Sequence, residues 1–233
     1  MNQRASSLLL PLLMVLSLTV CAQTPASPYP KMAPVDQYLI ADRNVEINMA
    51  RSAAPSAISD DAEILVLTKQ GYVTAVKGTN GFACVVERGW MSPFDAPNFW
   101  NPRLRGPICF NPPAVHSILP ITIKRTEMVL SGLPKEQIIA RSTALVANKE
   151  LPPLEPGAMS YMMSREGFLD DSAGHWVPHL MFYTPLAEGS LWGADVPDSP
   201  VYLNPQFRGA PEPIDVFMIP VGKWSDGLAA PLM

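Results

Sequence analysis

Three short runs rich in β-branched and apolar residues follow one another early in the chain, and no other feature restricts the fold as strongly. They cover residues 63–68 (EILVLT), 72–76 (YVTAV) and 82–87 (FACVVE). Such runs are typical of β-strands, and the Asn80-Gly81 pair before the third run favours the positive φ angles that hairpin turns require. The pattern therefore predicts an antiparallel meander of three strands.

The middle of the chain carries helical patterns. Residues 36–51 contain helix formers, and residues 114–130 follow an Asn111 cap and two prolines, although Pro120 should kink or split that helix. Residues 134–149 place one apolar stripe along a helix, formed by Ile138, Ile139, Ser142, Leu145 and Val146. We expect this stripe to pack on the sheet.

Strand patterns return in the last third of the chain, at residues 158–163, 179–183 and 214–220. Strands, then helices, then strands again are typical of an α+β fold rather than of alternating βαβ units. We therefore predict an antiparallel sheet, built from the N-terminal three-stranded meander and the C-terminal strands, with two or three helices packed on one face.

The first 22 residues have the features of a secretory signal peptide. Arg4 supplies a positive charge, residues 8–20 are apolar, and Ala22 is the small residue expected before the cleavage site. Two alternatives remain, a permanent membrane anchor and lipidation of Cys21, but the apolar segment is shorter than the ~20 residues that span a bilayer. We predict an exported protein, periplasmic or extracellular, with a Pro-rich tether over residues 23–34 and a single α+β domain over residues 35–233.

Charge and motif content exclude several functions. The formal net charge is −4 and there is no run of Lys or Arg, which disfavours nucleic acid as a partner. The common nucleotide, zinc-protease, hydrolase and redox motifs are absent, so we predict no cofactor. No segment of the mature chain is apolar enough to cross a membrane. The 26 prolines indicate that much of the chain forms loops.

Cys84 and Cys109 are the two cysteines that remain after signal removal. An even pair in an oxidising compartment predicts a disulfide, which on the chain-entropy model would stabilise the fold by about 3 to 4 kcal/mol. The alternative is two buried free thiols, since both cysteines lie in apolar runs.

The loop over residues 89–107, here called the aromatic loop, is long and rich in proline. It carries Trp90, Phe94, Phe99 and Trp100, and the predicted disulfide would close it at its base. Aromatic side chains held in place offer large contact area at small entropic cost, so these four are candidate binding residues for a protein, peptide, carbohydrate or other small ligand. The alternative is that they cover one face of the sheet as a small core of their own.

A histidine pair and an acidic turn are the other candidate sites. His175 and His179 could share a metal ion if the chain turned between them, although two ordinary histidines at strand ends explain the same pattern. Asp170, Asp171, Ser172 and His175 supply the residue types of a hydrolytic triad, although a turn is the simpler explanation of these residues. His175 would be the general acid or base, oriented by Asp170 or Asp171.

The neighbouring charges Glu87 and Arg88 are interpreted as solvated rather than as an acid–base pair.

Four segments, residues 49–55, 80–90, 157–163 and 179–183, together resemble a family of secreted bacterial proteins of unknown function. The resemblance extends from about residue 45 to residue 224. It implies an exported bacterial protein with one integral domain, and it brings no activity or ligand with it.

Two functional hypotheses follow from the sequence. The first is an exported, non-catalytic envelope or secreted module that binds a partner or small ligand through the aromatic loop. The alternative is an enzyme of unknown class, hydrolytic or metal-dependent, with its site near residues 170–179.

Overall fold

The computed structural model describes residues 28–171, 173–194, 196–208 and 211–230 of the chain. The predicted signal peptide, the first part of the predicted tether and Ser172 lie outside these residues. None of the helices that the structure describes is long and apolar enough to cross a membrane.

Within the described residues, eight strands form one sheet in the order β2-β1-β3-β4-β5-β6-β8-β7. All neighbouring pairs are antiparallel except β1 and β3, which are parallel. The α+β class is confirmed, and the sheet is larger than the sequence predicts. The strands are β1 (Glu63–Thr68), β2 (Gly71–Val76), β3 (Ala83–Glu87), β4 (Gly106–Phe110), β5 (Met159–Met162), β6 (His179–Pro185), β7 (Tyr202–Leu203) and β8 (Ile214–Pro220).

The helices lie mainly in the first two thirds of the chain. They are α1 (Arg43–Arg51), α2 (Ser56–Ser59), α3 (Pro112–Ser117), α4 (Leu119–Leu130) and α5 (Lys135–Ala147). Asn111 caps α3 by accepting a hydrogen bond from the Ala114 amide, and Pro120 stands in the first turn of α4, so the predicted helix is split at Ile118. A proline without an amide hydrogen is tolerated at a helix start and not in its interior.

The N-terminal strands differ from the predicted meander. β1 and β2 form the expected hairpin, but β3 lies on the other side of β1 and runs parallel to it. The connection crosses the start of β1, where the Thr79 amide donates to the Asp61 carbonyl, 2.8 Å away. Gly78 permits this crossing, because a Cβ atom there would lie 2.2 Å from the Glu63 nitrogen.

The helices are divided between both faces of the sheet rather than gathered on one. Ala50 of α1 packs with Ile64 and Cys84 on one face. Ile118, where α3 meets α4, packs with Phe110 on the other, which is called the cleft face below. Two apolar faces of the sheet are therefore buried, which explains why the strand runs are almost continuously apolar.

A disulfide and a buried ion pair hold the centre of the sheet. Cys84 of β3 and Cys109 of β4 stand directly opposite each other and are bonded. Arg88, just after β3, donates to Glu46 of α1 at 2.8 Å, and both side chains are almost completely buried. The expectation that Arg88 is solvated is therefore wrong.

The described end of the predicted tether packs against the domain. Tyr29 and Met32 contact a cluster that contains Tyr38, and the Ala33 amide donates to the Tyr38 hydroxyl at 3.1 Å. Residues 28–34 are thus part of the folded structure.

Candidate functional site

The aromatic loop turns its rings inward. Trp90, Phe99 and Trp100 are buried in a cluster with Tyr38 and with Ile138 of α5. These three side chains are therefore core residues, and their burial removes the argument that they form a ligand-contact surface.

Specific polar contacts fix these rings. The Trp90 Nε1 donates to the Thr126 hydroxyl of α4 at 3.0 Å, and the Tyr38 hydroxyl donates to the Trp100 carbonyl at 2.8 Å. The Arg125 guanidinium of α4 lies over the half-buried Phe94 ring, 4.4 Å from its centroid. The side chains of the loop thus pack against the helices, and the backbone of the loop forms its outer edge.

That outer edge forms one wall of a cleft of about 400 Å³ on the cleft face of the sheet. The wall consists of small and cyclic residues of the aromatic loop: Ser92, Pro93, Ala96, Pro97 and Asn98. The aromatic loop thus lines the cavity with its prolines and small residues, whereas Trp90, Phe99 and Trp100 are buried.

The floor of the cleft comes from alternate residues of three neighbouring strands. Met162 of β5 is paired with His179 of β6, and Met181 of β6 is paired with Met218 of β8. Alternate residues of a strand share one face, and paired residues of neighbouring strands share it too, so these four side chains form a continuous patch. All four line the cleft.

Trp176 closes one side of the cleft. Its ring lies against two glycines, since a Cβ atom on Gly106 or Gly167 would stand 3.3 or 3.1 Å from it. Because glycine has no side chain, there is space beside Gly106 and Gly167, and the Trp176 indole fills it.

Glu87, the last residue of β3, lies where the cleft meets a smaller apolar cavity of about 80 Å³ beneath α4. Its carboxyl accepts a hydrogen bond from the Thr122 hydroxyl at 2.9 Å. Burial raises the pKa of Glu87 to about 7, and the Thr122 hydrogen bond and the positive charge of Arg125 oppose that shift. The expectation that Glu87 is a solvated charge is therefore wrong.

The cation that acts on Glu87, Arg125, is already paired. Arg125 donates to Glu212 at 2.8 Å, and both side chains are buried. Burial has the largest effect on the Glu87 pKa, and the Thr122 hydrogen bond and then the Arg125 charge oppose it.

His179 of β6 is the titratable residue of the cleft floor. Its Nδ1 is 2.8 Å from the Val177 carbonyl, which can only accept, so Nδ1 carries the proton and Nε2 is the unprotonated nitrogen. Burial lowers the pKa of His179, so the ring is neutral at pH 7. Three strand spacings separate it from Glu87, about 14 Å at the usual distance between strands, so the two cannot exchange a proton directly.

Of the residues proposed for a hydrolytic triad, Ser172 lies outside the described residues, and Asp170, Asp171 and His175 each contact other groups. Asp170 lines the cleft and accepts a hydrogen bond from the Ala173 amide at 2.8 Å, as expected of a turn. Asp171 is exposed and pairs with Arg103 at 2.6 Å. His175 is exposed, and its Nδ1 lies 3.1 Å from the Trp176 carbonyl, so a backbone oxygen rather than a carboxylate faces that nitrogen.

The two histidines proposed for a shared metal ion line different cavities. His175 lines a separate cavity of about 590 Å³ with Trp224, and its ring meets the indole edge-on at 5.2 Å. His179 faces the cleft. Among the described residues, no group of three or more His, Cys, Asp or Glu side chains is placed to hold a metal ion.

The sequence analysis did not predict that Glu87 and Met181 line the same cavity. A signal existed for each: Glu87 ends an otherwise apolar strand, and Met181 alternates with His179 in β6, which places both on one face. What the sequence could not supply is the identity of the neighbouring strands.

Known protein families, curated proteins and solved structures were compared with this chain, and none of them matches it. The chemistry of the cleft is therefore the basis for a functional assignment.

Proposed function

We propose that this is an exported, non-catalytic protein that binds a small amphipathic molecule in the cleft between the aromatic loop and the sheet. The single observation that carries the proposal is the cleft itself. Its volume of about 400 Å³ lies within the range of roughly 300–1,000 Å³ that is usual for small-molecule sites.

The lining of the cleft supports an amphipathic ligand. Methionine side chains are flexible and polarisable, and they adapt to apolar groups of varied shape. Polar side chains also line the cleft, among them Glu87 of β3 and His179 of β6. A molecule with an apolar body and a polar head fits this combination of methionine and polar side chains.

Export of the protein remains part of the proposal. The N-terminal sequence and the resemblance to secreted bacterial proteins favour it, and a disulfide between Cys84 and Cys109 is consistent with an oxidising compartment.

Methionine methyl groups offer a direct test. In a protein labelled with ¹³C at the methionine methyls, a library of small amphipathic molecules should include members that shift the Met162, Met181 and Met218 signals. The methyls of Met128 and Met159 do not line the cleft and should stay in place. Shifts spread evenly over all methionines, or no shift with any member, would contradict the proposal.

A matched pair of variants in the aromatic loop sharpens this test. Ala96→Trp places an indole into the cleft, whereas Asp95→Trp places one on the exposed side of the same turn. We expect Ala96→Trp to abolish the ligand-induced shifts and Asp95→Trp to preserve them. Loss of the shifts in both variants, or in neither, would show that the ligand does not bind in the cleft.

A second candidate is an enzyme that uses the same cleft. It is favoured by one observation, that Asp170 and His179 of the proposed catalytic segment both line the cavity. Such an enzyme would use the neutral His179 as the acid–base group. Turnover of a cleft ligand, abolished in His179→Gln while the methyl shifts persist, would favour it over simple binding.

A further inference from the structure

Two buried cations stand near the cleft, and each already has a carboxylate of its own. Arg88 pairs with Glu46 and Arg125 pairs with Glu212, both at 2.8 Å. Glu87 takes part in no salt bridge within the described part of the chain, and its carboxyl accepts a hydrogen bond from the neutral Thr122 hydroxyl. The cleft therefore contains a half-buried carboxyl group that has no salt-bridge partner among the described residues.

We propose that Glu87 binds the primary ammonium group of an amphipathic amine, whose apolar body lies along the methionine floor of the cleft. The inference rests on the proposed function, since it requires that the cleft takes up a small molecule, and it adds the chemical class of that molecule.

The surroundings of Glu87 favour an ammonium group over other heads. An ammonium is compact and has three donors, so it can reach a carboxyl recessed between the cleft and the smaller cavity. A ligand carboxylate would be repelled by Glu87 and Glu212, and the Arg125 guanidinium already forms an ion pair with Glu212. A hydroxyl could form a hydrogen bond but would leave the ionised carboxyl without a counter-charge.

The other titratable groups that face Glu87 do not compete for this role. Tyr183 of β6 and Tyr72 of β2 are the phenols that interact with it, and burial raises the pKa of both, so they remain neutral. Arg125 of α4 contributes a fixed positive charge that Glu212 offsets. Near neutral pH, Glu87 is therefore the group whose ionisation can change when a ligand binds.

Binding of an amine should release a proton from Glu87. Without a ligand, burial keeps the carboxyl half protonated near pH 7. If the ammonium binds the ionised form alone, the apparent dissociation constant should rise about tenfold between pH 8 and pH 6, while an alkylamine, with a pKa near that of lysine, stays charged throughout.

Isothermal titration calorimetry with three probes tests the inference. Phenylbutylamine, phenylbutanol and phenylbutyrate share one apolar tail and differ in the head group. At pH 8 we expect the amine to bind at least tenfold more tightly than the alcohol or the acid, and to lose about tenfold in affinity at pH 6.

Two variants assign the effect to Glu87. Glu87→Gln keeps an acceptor oxygen for Thr122 and removes the charge, so the preference for the amine and its pH dependence should both disappear. Glu127→Gln, on the exposed side of α4, should behave like the wild type.

The outcomes separate the two proposals. Equal binding of the amine and the alcohol, with shifts of the cleft methionine methyls, would overturn the role of Glu87 and leave the binding cleft intact. An amine preference that persists in Glu87→Gln would also overturn it. Absence of binding by all three probes and by the wider library would overturn both proposals.

Discussion

The ionisation of Glu87 should make the stability of the empty protein depend on pH. Burial raises its pKa from 4.5 to about 7, a change of roughly 2.5 units. One unit corresponds to about 1.4 kcal/mol, so the ionised carboxyl destabilises the fold by about 3 kcal/mol relative to its protonated form.

The sign follows from proton binding. Between pH 4.5 and pH 7 the folded protein holds a proton on Glu87 that the unfolded chain has already released. The free energy of unfolding therefore falls as pH rises through this window, and the full loss is present above pH 7. Glu87→Gln cannot ionise and removes this loss.

We therefore expect the stability of Glu87→Gln, relative to that of the wild type, to increase as pH rises. The difference in unfolding free energy between variant and wild type should grow by about 3 kcal/mol from pH 4 to pH 8. For a chain of this length, that corresponds to about 6–12 °C in the melting temperature. The amide that replaces the carboxyl keeps an oxygen for the Thr122 hydroxyl, so the comparison isolates the charge.

Urea unfolding of both proteins at five pH values between 4 and 8 measures this difference. The control is Glu127→Gln, because the Glu127 carboxyl is about half exposed. A plot of its unfolding free energy against pH should run parallel to that of the wild type. A Glu87→Gln curve that also runs parallel to the wild type would show that Glu87 ionises normally, and it would refute the reasoning from burial.

Three further predictions concern the frame around the cleft. Replacing both Cys84 and Cys109 by serine should lower the unfolding free energy by about 3 to 4 kcal/mol, and non-reducing mass analysis of the wild type should find both thiols blocked; free thiols would contradict the pairing. Glu46→Ala should destabilise the fold by about 3 to 5 kcal/mol in urea unfolding, because it leaves Arg88 buried and unpaired, and a loss below about 1 kcal/mol would argue against burial. Trp90→Ala should cost about 3 to 5 kcal/mol by the same measurement, whereas a surface ring would cost little.

The sequence predicts those features that short segments of chain determine by themselves. The strand predicted over residues 214–220 has the bounds of β8, and Asn111 caps α3 as its position before two prolines predicts. The pairing of Cys84 with Cys109 is predicted from their number together with the predicted oxidising compartment. Each of these depends on residues close in sequence or on a simple count.

Features that depend on which strands become neighbours could not be predicted. The Asn80-Gly81 turn has the expected positive φ at Gly81, yet the chain uses it to pass the start of β1 rather than to return beside β2. The division of α1 and α4 between the two faces is likewise decided by tertiary packing. The environment of Glu87 depends on Thr122 and Arg125, which lie more than thirty residues away.

The aromatic loop connects the stability of this protein with its proposed function. Its rings pack into a core with α4 and α5, and the disulfide at its base joins the two strands that it links. A wall fixed in this way loses little conformational freedom when a ligand enters, so more of the interaction energy remains available for affinity. In the proposed function the aromatics support binding without touching the ligand, because they hold in position the loop whose Pro93 and Ala96 line the cleft with the methionines.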